Sequence, residues 1–178
     1  MTTSQERGFT LIELLIVIAL LGVLLAIATP GLLRARQSGS EASAIGSLRT
    51  ISSAQYVYAS SCASGYFAPS LSVLGTAPAT GTAFISPDIG YADVVVKSGY
   101  TFTIRTSTGA GAASPASCNG VAAGASLGGY NAVATPAVGA GTKAFGVNPL
   151  GTIYWAAQMT PLAMTDTTAP AGARPIPE

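Results

Sequence analysis

Residues 8–25 carry no charged side chain except one carboxylate, Glu13. Continued to Leu33, a helix that begins at Phe9 would be about 37 Å long, which is enough to cross a hydrocarbon core of about 30 Å. An ionised side chain at bilayer depth is costly, so a chain that keeps one usually supplies a partner for it. This segment therefore constrains the fold and the function more than any other part of the chain.

The composition argues against catalysis and against nucleic-acid binding. Only 8% of the 178 residues are charged and the net charge is +1, which gives no electrostatic footprint for nucleic acid. Histidine is absent, which removes the commonest general base and any Ser/His/Asp or Cys/His catalytic set. We expect one domain with an appendage, no enzymatic activity and no cofactor.

The aspartates and the glycine-rich stretches lack a binding pattern. Asp88, Asp93 and Asp166 do not have the spacing of a calcium loop. Residues 109–111 and 139–141 lack the lysine and the helix of a phosphate-binding loop, so we interpret them as flexible linkers. We therefore expect no metal or phosphate site.

The two cysteines, Cys62 and Cys118, lie far apart and form no CxxC pair. A zinc or redox motif is therefore not indicated. If this part of the chain lies outside the cytoplasm, a Cys62–Cys118 disulfide is favoured over two unpaired thiols.

Two general export signals explain the N-terminal segment incompletely. A secretory signal peptide would use Arg7 as its basic region and 26–28 as its cleavage site, but the apolar stretch exceeds the usual length and contains Glu13. A plain signal anchor also leaves Glu13 unexplained. Arg34 and Arg36 follow the span while only Arg7 precedes it, so the positive-inside rule would place the wrong end in the cytoplasm. A more specific signal must decide the orientation.

A third interpretation supplies that signal. The stretch Gly8-Phe9-Thr10-Leu11-Ile12-Glu13-Leu14 resembles the processing site of type IV prepilins and the related type II secretion pseudopilins, and the match extends from Gly8 to Pro30. The resemblance implies a pilin fold of α+β class, in which a long N-terminal helix packs against a small antiparallel sheet. It implies four segments: a cleaved leader (1–8), a transmembrane or filament-core half of the helix (9–33), an amphipathic half (34–60) and a globular β-rich head (61–178).

The resemblance also implies how the N-terminus is processed and used. A membrane peptidase that is also an N-methyltransferase cuts after Gly8 and methylates the new terminus at Phe9. In this family, Glu13 then pairs with the terminal amine of a neighbouring subunit during assembly. The alternative is that Glu13 extends to the lipid headgroups.

Gly22 and Pro30 weaken the helix, because glycine destabilises helix interiors and proline lacks an N–H. The resemblance implies that the helix stretches between them in a filament. A tolerated kink in a membrane helix explains the two residues equally well.

The function implied is that of a structural subunit. The prepilin would cross the bacterial inner membrane once with its N-terminus in the cytoplasm. It would then polymerise into a helical homo-oligomer, with other pilins and an inner-membrane assembly platform as partners. The filament would be a cell-surface pilus. The alternatives are a periplasmic pseudopilus of a type II secretion system and, in another class, a membrane-anchored or secreted binding domain.

Beyond Pro30 the pattern becomes amphipathic. Ala44, Ile45, Leu48 and Ile51 recur at spacings of three and four, and Tyr58 falls on the same side. We predict one helix over residues 9 to about 59, whose second half buries a stripe against a sheet.

Turn residues and alternating patterns divide the rest of the chain. A single helical turn with a serine cap is predicted at 70–75, a long loop at 106–126 and irregular structure beyond 160. Tyr130, Tyr154 and Trp155 are expected in the sheet core or in subunit contacts. Three or four antiparallel strands are predicted, with positions at 100–105, 130–135, 143–147 and 152–157 and a turn at 148–151.

Overall fold

The computed structural model describes residues 9–106, 113–165 and 168–177. The chain divides into two compact units, Met1–Arg36 and Gln37–Glu178, and each is described by itself. The helices are α1 (Leu11–Ser61), α2 (Leu71–Gly75) and α3 (Pro87–Gly90); the strands are β1 (Val94–Lys97), β2 (Tyr100–Thr106), β3 (Tyr130–Pro136), β4 (Ala144–Val147), β5 (Ile153–Ala156) and β6 (Arg174–Pro175).

The first unit contains the apolar part of α1. Every residue from Phe9 to Arg36 is exposed in the single chain, and the helix contains one segment that is long and apolar enough to cross a membrane. A helix that is apolar on all sides requires lipid or other helices to cover it. Gly22 and Pro30 both lie within the continuous helix, so their stretching stays a prediction for the assembled state.

The second unit buries one stripe of α1 against the sheet. Ala44, Leu48, Ile51 and Tyr58 are fully buried, and Ile45 packs against them at the edge of the same core. The predicted amphipathic stripe is therefore confirmed. The sheet side of this core includes Val95, Tyr100, Phe102, Tyr130, Ala132, Ala134, Phe145 and Val147.

The sheet is antiparallel, and its six strands lie side by side in chain order. The α+β layout is confirmed, and so are the four predicted strand positions. The predicted count of three or four strands is wrong, because β1 and β6 were missed. Strand β1 joins β2 through Ser98 and Gly99, whose φ angles of +50° and +78° are those of a type I′ hairpin turn. Strand β6 pairs with β5 in the region that was predicted to be irregular.

Of the two short helices, one was predicted from the sequence and the other was not. Helix α2 is confirmed, since the Ser70 hydroxyl caps it by accepting a hydrogen bond from the Val73 amide. Helix α3 was not predicted.

The C-terminal segment covers the face of the sheet that points away from α1. Because side chains alternate along a strand, Ala144 and Gly146 point away from the face that Phe145 occupies. Leu162 and Met164 pack there with Ala144, and a Cβ built on Gly146 would lie 2.6 Å from Met164 Sδ. The sheet is therefore sandwiched between α1 and residues of the irregular C-terminal segment.

Gly75 and Gly90 bring α2 and α3 together through their backbones. A Cβ at Gly75 would overlap the Gly90 carbonyl group, so Gly75→Ala should destabilise the second unit by about 3 kcal/mol, the upper range for overpacking. The measurement is urea unfolding of the full chain in micelles, followed by Trp155 fluorescence.

The matched control is Gly46→Ala on the exposed side of α1, where nothing lies within 4 Å of the new Cβ. It should stabilise the chain by about 0.5–1 kcal/mol, because alanine favours helix more than glycine does. Equal effects of the two substitutions would contradict this account of Gly75.

Candidate functional site

The start of α1 forms a reciprocal hydrogen-bonded pair between Thr10 and Glu13. The Thr10 amide and hydroxyl donate to Glu13 Oε2 at 3.2 Å and 2.8 Å. The Glu13 amide donates to Thr10 Oγ1 at 3.3 Å. This is a capping box, in which a threonine at the N-cap and a glutamate three residues later each satisfy a free backbone amide.

The capping box gives Glu13 a partner within its own chain. Phe9, just before the cap, is 76% exposed, and Gly8 lies outside the described residues. Glu13 was identified from the sequence, but Thr10 was missed. The signal was present, since a threonine followed three residues later by glutamate and an apolar run is the pattern of a capping box.

Replacing Thr10 tests the capping box. Thr10→Val removes the hydroxyl that both donates to and accepts from Glu13, and should destabilise the first helical turn by about 1 kcal/mol. Amide hydrogen exchange of residues 11–14 in micelles should become faster. Thr10→Ser keeps the hydroxyl and should exchange like the parent; if it exchanged as fast as Thr10→Val, the hydroxyl would not be what holds the turn.

In the second unit, a disulfide joins Cys62 at the end of α1 to Cys118, with their Cα atoms 4.9 Å apart. The predicted disulfide is therefore present. Beside it, the Asn119 side chain donates to the carbonyl oxygens of Val73 at 2.8 Å and Thr76 at 3.1 Å. The Val73 carbonyl also accepts the Thr76 amide at 3.2 Å, so Asn119 adds further bonds to the backbone that ends α2. The disulfide and Asn119 together hold the loop between β2 and β3 against α1 and α2.

Loss of the disulfide should be measurable as a stability change. The 56-residue separation of the two cysteines gives about 4 kcal/mol in the chain-entropy model. Urea unfolding of the parent chain with and without dithiothreitol should show this difference. A Cys62→Ser/Cys118→Ser variant should match the reduced parent and be unaffected by the reductant; a parent that is equally stable in both conditions would refute the estimate.

A second polar cluster fixes the β3–β4 loop on α1. Glu41 accepts hydrogen bonds from the Thr142 amide at 3.2 Å and from Lys143 Nζ at 3.0 Å. Lys143 Nζ also lies 5.3 Å from the centre of the Trp155 ring. Tyr100 donates to the Lys143 carbonyl at 3.0 Å, and its burial together with the nearby Glu41 charge raises its pKa to about 12. Tyr100 therefore remains a donor at physiological pH.

The aromatic residues that were expected in the sheet core or in contacts divide into two groups. Tyr130 is fully buried in the core and donates to Ser52 Oγ at 3.0 Å. Its burial raises its pKa to about 12. Tyr154 and Trp155 are half-exposed.

Asp88 and Asp93 of the second unit are engaged in local structural contacts. Asp88 forms an ion pair with Lys97 at 2.6 Å, and this contact lowers its pKa. Asp93 accepts from Ser72 Oγ at 2.5 Å, which also lowers its pKa. Within the described ranges, no three His, Cys, Asp or Glu side chains lie together. Asp166 and residues 109–111 lie outside those ranges.

A surface groove of about 390 Å³ lies between α1 and the edge of the sheet, lined by Arg49, Gly151, Thr152, Ile153 and Ile176. Among the described residues that line it, the one ionisable side chain is Arg49, which cannot serve as a base at neutral pH.

Comparison with known families identifies a match at the N-terminus. Residues 3–29 match the model of the prokaryotic N-terminal methylation motif, a range that includes Phe9, Thr10 and Glu13. The match confirms the predicted resemblance to type IV prepilin-like proteins over this segment. It supports a type IV pilin-like or pseudopilin protein, a class of structural subunits rather than enzymes. No curated protein and no solved structure matches the chain.

Proposed function

We propose that the chain is a subunit of a type IV pilus-like filament. It is stored in the bacterial inner membrane as a prepilin, is cut after Gly8, is methylated at Phe9 and polymerises through α1. The observation that carries this proposal is the methylation motif over residues 3–29. The motif coincides with the start of an apolar helix whose first turn is closed by the capping box of Thr10 and Glu13.

The exposed apolar part of α1 supports assembly through this helix. All described residues before Gln37 are exposed in the single chain, so their surface needs a cover. The bilayer supplies it before assembly, and the helices of other subunits supply it afterwards.

Glu13 supports a defined register between the subunits. Both hydrogen bonds that the Glu13 carboxylate accepts from Thr10 use Oε2, and among the described residues no donor is bonded to Oε1. The amine of a neighbouring Phe9 can therefore approach Oε1 while the capping box remains intact. An unpaired charge between packed helices is heavily penalised, so this pairing aligns one subunit with the next.

The competing functions predict different first residues for the mature chain and different lengths and locations for the fibre. N-terminal sequencing of the extracted protein should give a methylated Phe9, whereas simple secretion of a binding domain predicts a start at Thr29. A short fibre that is confined to the periplasm would instead indicate a type II secretion pseudopilin. The disulfide favours an exported location of the head, because such bonds persist in oxidising compartments.

Removing the Glu13 carboxylate tests the assembly step directly. Glu13→Val should still be cleaved after Gly8, because the scissile bond is unchanged, but should yield few or no filaments, because the neighbouring amine loses its partner. The measurements are the ratio of precursor to mature chain on a gel and the amount of sheared filament.

Glu41→Gln is the matched control, since it removes an acidic charge from the second unit and leaves the N-terminus unchanged. It should assemble like the parent. A normal filament yield from Glu13→Val would refute the proposed pairing.

A further inference from the structure

Asn119 differs from the other asparagines of the chain in the residue that follows it. The asparagines and their successors are Asn119-Gly120, Asn131-Ala132 and Asn148-Pro149. A backbone nitrogen can attack the side-chain amide carbon of the preceding asparagine, and glycine obstructs this attack least because it has no Cβ. Proline prevents the attack, since its nitrogen carries no hydrogen. The sequence therefore favours conversion of an amide to an acid at Asn119 more than at the other two positions.

The fold engages both groups that this reaction would use. Asn119 Nδ2 donates to the carbonyl oxygens of Val73 at 2.8 Å and Thr76 at 3.1 Å. Asn119 Oδ1 accepts a hydrogen bond from the Ser117 hydroxyl at 2.7 Å. The Gly120 amide donates to the Ser117 carbonyl at 3.3 Å and closes a turn. The side-chain amide and the nitrogen that would attack it are therefore both held by hydrogen bonds.

These hydrogen bonds oppose the attack. For the Gly120 nitrogen to reach Asn119 Cγ, the asparagine side chain must turn about its Cα–Cβ bond to a torsion between the staggered rotamers. That rotation withdraws Nδ2 from the two carbonyl oxygens on α2 and at its end. Because intramolecular reactions slow steeply when the reacting atoms are held out of line, the folded turn should suppress this one.

The disulfide positions this turn against the helices. Cys118 directly precedes Asn119 and is joined to Cys62, and the Cys118 amide donates to the Cys62 carbonyl at 3.0 Å. Cys118 and Gly120 are exposed and Asn119 is partly buried, so solvent reaches the turn. A chain without the disulfide loses the covalent link that keeps the Asn119 side chain beside α2. The protection of Asn119 should therefore depend on the disulfide.

We propose that Asn119 is a deamidation site, which is protected while the Cys62–Cys118 disulfide is closed and reacts while it is open. The Gly120 nitrogen loses its proton and bonds to Asn119 Cγ, the bond from Cγ to Nδ2 breaks, and ammonia leaves a succinimide ring. Water then opens the ring at either carbonyl and gives aspartate or isoaspartate. The net reaction consumes water and releases ammonia, with no oxidant or reductant.

Either product weakens the contact between the turn and α2. A carboxylate has no N–H group, so it cannot donate to the Val73 and Thr76 carbonyl oxygens and faces them with a negative charge. Isoaspartate also lengthens the backbone of the turn by a carbon atom. A chain that is modified before the disulfide closes therefore loses the bonds that hold the turn in place. The site lies in the second unit and does not depend on the proposed filament assembly.

Peptide mapping by mass spectrometry tests the proposal on the full chain in micelles at mildly alkaline pH. The comparison is between the disulfide-bonded parent and the Cys62→Ser/Cys118→Ser variant, with Trp155 fluorescence to show that the variant is folded. Asn119 should deamidate about tenfold faster in the variant, the effect of losing one net hydrogen bond or more. Asn131 and Asn148 are controls within the same chain and should stay unmodified in both proteins.

Ser117→Ala is a second variant, which keeps the disulfide and removes the hydroxyl that donates to Asn119 Oδ1. It should deamidate faster than the parent and more slowly than the cysteine variant. Equal rates in the parent and a folded cysteine variant would overturn the proposal. If the cysteine variant is unfolded, Ser117→Ala decides: a faster rate than the parent supports protection by the hydrogen bonds, and an equal or slower rate overturns it.

Discussion

The structure depends on how the Glu13 carboxylate obtains hydrogen-bond donors at the start of an apolar helix. In the single chain, Thr10 supplies two donors to Glu13, and Glu13 returns one through its amide. The pair closes the first turn of α1, where the free backbone amides would otherwise lack acceptors. The second carboxylate oxygen of Glu13, Oε1, accepts no hydrogen bond from the described residues, and in the proposed function it receives a cation from outside the chain. A local contact thus makes the acid tolerable without removing its capacity to bind a neighbour.

Helix α1 combines two surfaces that need different covers. Before Gln37 it is exposed on every side, whereas farther along it buries the stripe from Ala44 to Tyr58 against the sheet. The sheet is covered on its other face by Leu162 and Met164, so the second unit completes its own core. Among the described residues, the large apolar surface that the chain itself does not cover belongs to the first unit, and in the proposed function this surface is the one through which subunits assemble.

The sequence predicted what depends on local patterns and missed what depends on distant contacts. The helix, four strands and the capped turn at α2 follow from periodicity and cap residues. Strand β1 carried a usable signal that was overlooked, since three valines precede the turn residues Ser98 and Gly99. Strand β6 and the contacts of Asn119 and Glu41 join residues far apart in the chain, so no local pattern could indicate them. The contact between Thr10 and Glu13 is local, and the capping-box pattern in the sequence could have indicated it.

The position of the capping box relative to the cleavage site links processing to assembly. In the proposed function, the peptidase breaks the bond between Gly8 and Phe9, which involves neither Thr10 nor Glu13. The capping box therefore survives the cut, and the carboxylate is already oriented when the new amine appears. A free cation at the start of a helix is unfavourable because of the helix dipole, and the Phe9 amine of one subunit gains most by approaching the Glu13 of another. Cleavage thus creates the attractive group, while the geometry that receives it exists beforehand.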